Sequence, residues 1–238
     1  MYLFYIRHGQ SANNALYDVT GGDDGRVMDP ELTPVGVEQA ARVAESLRCG
    51  QPLLRMNGTS ADGFGVTHLY SSLMVRSLHT GQAIAQVLDL PLLGWTDLHE
   101  GGGIFLQDPD TGEFTGYPAS TRADLTGRFP ELVWPDDAPP EGWWNRPFEP
   151  YAARRIRGRR VLAELLRRHG GSDDRVAFVS HGGFFNSLMC AVLDLPDPQE
   201  VWLNMNNTAI TCLEFSDMRV VGIRYLNRTD HLPHEMVT

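Results

Sequence analysis

The sequence predicts an α/β protein, a three-layer αβα sandwich with a mainly parallel central sheet and an inserted cap segment. Two observations carry this expectation. Short apolar runs of strand character alternate with stretches of helical periodicity, the order that builds parallel sheets through crossover helices. One stretch, 101–150, breaks that order with turn formers and tryptophans. At 238 residues the chain can bury a full core as one domain over 1–238, with 101–150 as its cap.

Residues 2–6 alternate, are rich in aromatics and meet polar residues at once, so they read as a short buried strand ending at Arg7. From Pro34 to Leu47 the positions Val37, Ala40, Ala41, Ala44 and Leu47 recur at helical spacing. Thr33 is placed to cap that helix, with Pro34 in its first turn. A second strand fits Val66 to Tyr70 and a second helix Met74 to Leu88. A third helix runs from Tyr151 to His169, stopped by Gly170-Gly171. The clearest strand is Arg175 to Ser180, followed by His181-Gly182-Gly183 and an apolar helix from Phe184 to Leu193. Thr208 to Phe215 and Arg219 to Leu226, around Ser216-Asp217, read as a hairpin.

Segment 101–150 holds seven glycines, eight prolines and three of the five tryptophans, with no sustained period. A connection this long is a lid, a binding loop or disordered. Trp134, Trp143 and Trp144 favour order, because disordered segments are poor in aromatics. Trp143-Trp144 either line a substrate pocket or anchor the cap.

Composition excludes some classes. A formal net charge of −10 argues against nucleic-acid partners, which call for a basic face. No apolar run nears the roughly 18 residues that span a bilayer, and Met1 to Ile6 is too short for a secretory signal. A cytoplasmic protein with no membrane partner is expected. Cys49, Cys190 and Cys212 suggest neither a disulfide framework nor a zinc site. All 20 basic residues are arginine, so a phosphate clamp here must use arginine, histidine and backbone amides.

Three clusters stand just after predicted strands: Arg7-His8-Gly9, Ser71 to Arg76, and His181-Gly182-Gly183. Ligands of parallel sheets bind outside the carboxyl ends of the strands, so these clusters should share one pocket. Arginine forks match tetrahedral oxyanions, and a neutral imidazole can attack phosphorus through one nitrogen if the other donates a hydrogen bond. His8 is the expected nucleophile. Arg7, Arg76 and His181 would steady the phosphoryl oxygens, His181 being protonated while phosphate is bound. Glu100, at the door of the cap, could protonate the leaving alkoxide and then serve as base for water; Asp97 is the alternative carboxylate.

The same residues resemble the histidine phosphatase superfamily, the phosphoglycerate mutase-like group. Arg7-His8-Gly9-Gln10-Ser11-Ala12-Asn13-Asn14 is similar to its opening motif, and Leu32 to Ala40 to its LTxxGxxQA helix entry. Tyr70 to Thr80 resembles its SSxxxRxxxT element, Leu98-His99-Glu100 its L-x-E segment, and Ser180 to Gly183 its SHGG. The resemblance implies His8 as nucleophile, Glu100 as proton donor, and a phosphate pocket of Arg7, Gln10, Asn14, Arg76, His181 and Gly182. Asn207 is a further candidate near it, and Thr20-Gly21 are expected to touch substrate. It implies no metal and no other cofactor.

After Glu100 the chain reads Gly101-Gly102-Gly103-Ile104-Phe105, without the glutamate–arginine–histidine–tyrosine run of the mutases. A phosphatase is therefore expected, with mutase-type transfer and an idle binding protein as alternatives. Its partner would be a small-molecule phosphoester, an organic phosphate larger than a triose by the aromatic content of the cap. Monomer and homodimer stay open. His231 and His234 read as an ordinary tail. His68, His79 and His169 read as structural or solvated, while His99 could line the pocket. The run Arg154, Arg155, Arg157, Arg159 and Arg160 reads as a solvated helix face.

Overall fold

A computed structural model describes residues 1–50, 63–195, 201–216 and 220–238. In chain order its first half runs β1 (Tyr2–Arg7), α1 (Ala12–Thr20), α2 (Pro34–Cys49), β2 (His68–Ser71), α3 (Val75–Leu88) and β3 (Leu92–Gly94). Then come β4 (Phe105–Gln107), β5 (Phe114–Gly116), α4 (Arg122–Arg128) and β6 (Leu132–Val133). The chain ends with α5 (Tyr151–His169), β7 (Arg175–Ser180), α6 (Gly182–Leu193), β8 (Ile210–Phe215) and β9 (Val221–Arg228).

The period of two along the central strands decides the layers. In β1, Phe4 and Ile6 face one core with Ala177 and Val179 of β7, against Val43 and Leu47 of α2 and Leu78 of α3. Leu3 and Tyr5 face the other with Val176 and Phe178, against Val161 and Leu165 of α5 and Phe184 and Leu188 of α6. Seven strands form the sheet in the order β6-β3-β2-β7-β1-β8-β9. The first five are mutually parallel, and β8 and β9 continue antiparallel at one edge. The α/β sandwich is thus as expected. No helix of the described residues is long and apolar enough to cross a membrane.

Local chemistry fixes the ends. Thr33 Oγ1 accepts from Gly36 N at 3.0 Å, a cap worth about 1 kcal/mol, and α2 runs to Cys49. β2 begins at His68 rather than Val66, and α6 begins two residues before Phe184, with His181 as its N-cap. The hairpin is present as β8 and β9; Asp217 in its expected turn and Arg219 at its expected second strand lie outside the described residues.

Other elements carry no readable pattern. Helix α1 buries none of its residues, so no apolar stripe marks it; its signal is the Ser11–Asn14 capping box. The stretch Trp95 to Glu100, ahead of the cap, holds a 3-10 turn, Thr96–Leu98. Within 101–150, β4 and β5 form a separate hairpin, whereas β6 pairs with β3 at the edge of the main sheet. Leu125, Phe129, Leu132, Trp143 and Trp144 are buried in the same cluster as β1 and α2. A stretch read as a cap therefore supplies an edge strand and part of the core.

Candidate active site

The carboxyl ends of β1, β2 and β7 stand level, with Arg7 opposite Ser180 and Ser71 opposite Val179. His8 N donates to Ser180 O at 2.9 Å and Ser72 N to Val179 O at 3.0 Å, so the ladder continues into the loops. Above them opens a cavity of about 680 Å³ lined by Arg7, His8, Asn14, Arg76, Glu100 and Gly182, among others.

His8 is 3% exposed. Its Nδ1 lies 2.7 Å from Gly9 O, an acceptor only, so Nδ1 carries the proton. Arg76 Nε donates to His8 Nε2 at 3.1 Å, which assigns the same tautomer independently. Burial first, then Arg76 and Arg7, hold the imidazole well below its usual pKa. The result is a neutral ring whose lone pair sits on Nε2, the state a nucleophile requires.

His181 stands beside it, ring centroids 5.0 Å apart. It is fully buried and does not line the cavity. Its Nε2 is 2.9 Å from Ser72 Oγ and 3.3 Å from Ser77 Oγ. Burial, with Arg76 next, keeps this imidazole well below its usual pKa, so the protein's own groups hold it neutral rather than protonated. Tyr5 donates from below to His181 O at 2.7 Å.

Glu100 reaches the cavity from the far wall. Gly183 N donates to its Oε2 at 3.0 Å and Gly101 N to its Oε1 at 2.7 Å. A Cβ on residue 183 would come within 2.5 Å of Oε1, so only glycine lets the carboxylate and α6 approach this closely. Asp97, the alternative carboxylate, is held by Arg160 through two 2.7 Å bonds and does not line the cavity.

The remaining candidates divide. Arg7 lines the cavity and donates through Nη1 to Met205 O at 2.6 Å. Asn14 lines it too, with Oδ1 engaged by Ser11 N at 3.0 Å, so its amide hydrogens are what it can offer an anion. Asn207 lies beneath, donating to His8 O at 2.9 Å. Gln10 is buried outside the cavity, where its Oε1 accepts from Thr33 Oγ1 at 2.7 Å. Thr20 and Gly21 end α1, exposed, Gly21 as its left-handed cap at φ 67°, and neither lines the cavity. An α1 of nine residues carries them away from the phosphate end.

Several residues had no motif to mark them. Asp29 lies 3.5 Å from Arg76 Nη1 and accepts from Val75 N at 3.1 Å, tying the guanidinium to the start of α3. Burial pushes its carboxyl up to about 6, against the pull of Arg76. Arg157 is not on a solvated face. At 2% exposure it grips Glu149 twice and donates to Asp97 O at 2.7 Å and His99 O at 2.8 Å, bracing the loop that ends in Glu100. Only its place in the helix, beside apolar Val161 and Leu165 on the buried stripe, could have signalled this.

His99 packs on Trp144 at 4.7 Å between ring centroids and lies outside the cavity. Trp143 and Trp144 are buried there with it and do not line the cavity at His8. His68, His169 and Asp174 gather at the opposite end of the sheet, one ligand atom of each within 4.8 Å of the others. His169 already uses both nitrogens, Nδ1 donating to Asp174 at 2.8 Å and Nε2 accepting from Tyr70 at 3.1 Å, as a structural histidine does.

Two imidazoles and two guanidinium groups thus share one end of the sheet, and a family model described as histidine phosphatase superfamily, branch 1, matches residues 3–228. The chain belongs to that superfamily. The glucosyl-3-phosphoglycerate phosphatase of Mycolicibacterium vanbaalenii is 29% identical over 82% of this chain and 75% of its own length. The protein of the same name from Mycobacterium tuberculosis is 30% identical over 82% and 76%. A crystal structure of phosphoserine phosphatase from Entamoeba histolytica, with 3-phosphoglyceric acid, superposes at a TM-score of 0.59 and 23% identity. It covers 98% of this chain and 99% of that one, which shows the shared fold. In this histidine phosphatase the matched span takes in every cluster the strand ends bring together.

Proposed function

We propose that this histidine phosphatase hydrolyses phosphomonoesters through a phosphohistidine on His8. The observation that carries the reading is the tautomer of His8, fixed from both sides with its lone pair on Nε2 at the floor of an arginine-lined cavity. A phosphoryl group seated there takes over the Arg76 N–H, and that exchange frees the lone pair.

Nε2 attacks phosphorus while the bond to the ester oxygen breaks, and Glu100 delivers the proton the departing alkoxide needs. Arg7, Arg76 and the Asn14 amide steady the phosphoryl oxygens. His181, beside His8, takes a proton as the phosphate dianion brings in the negative charge that the protein's own groups lack there. In the second half Glu100 accepts a proton from water, whose oxygen attacks phosphorus as the P–N bond breaks. Phosphate leaves and Nε2 recovers its lone pair.

Gly101-Gly102-Gly103 follow the acid where the mutases carry a glutamate–arginine–histidine–tyrosine run, which favours hydrolysis over mutase transfer. We assign closure of the mouth to the β4–β5 hairpin of a single domain, since Phe105 of β4 lines the cavity. Tyr17, Phe105 and Trp202 also line the cavity and suit an organic phosphate from the cytoplasmic pool.

The test varies the leaving group. Glu100→Gln should lower kcat for alkyl phosphates by about 10²–10³-fold, and much less for p-nitrophenyl phosphate, whose phenolate needs no proton. An equal loss on both would remove Glu100 as the acid, and no phosphate release by the wild type from either would remove the hydrolase reading.

A further inference from the structure

During transfer Arg76 must release His8 and take a phosphoryl oxygen without losing its place. Its Nε donates to His8 Nε2 at 3.1 Å, and its Nη2 reaches only the sulfur of Met74, at 3.1 Å, a weak acceptor. Nη1 is left for Asp29, 3.5 Å away, the one carboxylate within ion-pair distance of this guanidinium among the described residues. The two side chains are 9% and 15% exposed, so solvent screens the pair little.

Asp29 belongs to the loop between α1 and α2 and does not line the cavity, although Pro30 beside it does. Bonds on either side of Pro30 seat the loop. Val75 N donates to both Asp29 oxygens, at 3.1 and 3.3 Å, where Met74 gives α3 no side-chain cap of its own. His79 Nε2, one turn along α3, lies 2.7 Å from Glu31 Oε2, and Arg128 Nη2 of α4 donates to Glu31 Oε1 at 2.8 Å. The carboxylate is thus held by backbone and placed to hold the arginine in turn.

We propose that Asp29 is a positioning residue of the phosphoryl site, touching neither substrate nor His8 but setting the direction of the Arg76 fork. The proposal rests on the phosphoryl site at His8 and names what orients its clamp. The carboxylate holds Nη1 while Nε exchanges His8 for the phosphoryl oxygen. A neutral Asp29 still caps α3 but releases the fork. Burial raises this carboxyl to about 6 and Glu31 adds to the rise by like charge, while Arg76, the Val75 amide and Arg128 oppose it. Burial first lowers Arg76, with Asp29 and Glu100 opposing and Arg26 adding to the fall. Above about 6 the carboxylate prevails, and below it the acid.

Asp29→Asn tests this, because asparagine caps a helix as well as aspartate does and carries no charge. At about pH 7.5 the variant should lose about ten- to a hundredfold in kcat/KM. Acid neutralises Asp29 in the wild type and changes nothing there in the variant. The ratio of wild type to variant should therefore fall at least about threefold by about pH 5.5, substrate ionisation cancelling within it. A plain helix cap gives a ratio independent of pH; that result, or an undiminished kcat/KM, overturns the proposal.

The nitrogen NMR resonance of His8 Nε2 in histidine-labelled protein, assigned by its loss in His8→Ala, needs no turnover. In the wild type it should move toward the position of an unbonded nitrogen with a midpoint of about 6, although His8 itself protonates well below its usual range. No such movement in the wild type, or the same movement in Asp29→Asn, overturns the proposal, and the wild-type arm needs no variant to fold. A wild type that hydrolyses no ester sinks the hydrolase reading, and the resonance still decides Asp29.

Discussion

His8→Ala should lower turnover of every phosphomonoester by at least about 10⁴-fold, because it removes the atom to which the phosphoryl group is transferred. Nothing nearby can replace it. His181 is fully buried with Nε2 held between two serine hydroxyls, and the site's other nitrogen bases are guanidinium groups, which stay protonated. If water attacked phosphorus directly, His8 would serve only as a charge or a base, and its loss would cost about 10²-fold. Steady-state kinetics on purified variant protein separates the two. The fold should survive, because Gly9 N and His8 N keep their bonds to Thr80 Oγ1 and Ser180 O.

The same burial that keeps the imidazoles neutral should make the protein sensitive to acid. His8, His99 and His181 are all held well below the usual imidazole pKa, burial being the first cause in each, and burial lowers His231 to about 4. Below about pH 6.5 the unfolded chain protonates these four groups while the folded chain does not, so stability falls as pH falls. Asp29 opposes one of them. Its folded carboxyl, near 6, binds a proton before the unfolded one does. The lowered histidines outnumber the raised carboxylate, so the unfolded state takes up more protons on acidification and stability falls from pH 7 toward pH 5. Urea denaturation at stepped pH measures this; equal stability at pH 7 and 5 would contradict it.

The convergence of short segments at strand ends was legible in the sequence. Arg7-His8, Arg76 and His181-Gly182 each follow a run whose period or composition marks an element, and the ends of parallel strands lie together. Helix α5 and strand β7 were readable to the residue because Gly170-Gly171 separates a long periodic stretch from an unbroken apolar one. Partners that meet only through tertiary packing were not readable. Asp29 reaches Arg76 from a loop, and Arg157 reaches the backbone of Asp97 and His99 from a helix read as solvated. Thr20 and Gly21 are held at the surface by the end of α1, ahead of a long loop, a placement no motif marks. The regular pieces within 101–150 were not readable because they are two to seven residues long, too short for a period to show.

Whether the phosphorus is ever bonded to the protein can be measured on the working enzyme. Stopping turnover in alkali within milliseconds, then weighing the intact chain and its peptides, should reveal a fraction heavier by one PO₃ unit, located on residue 8 and lost on acidification. Full catalytic flux with no such adduct, or with the added mass on any other side chain, would contradict the account.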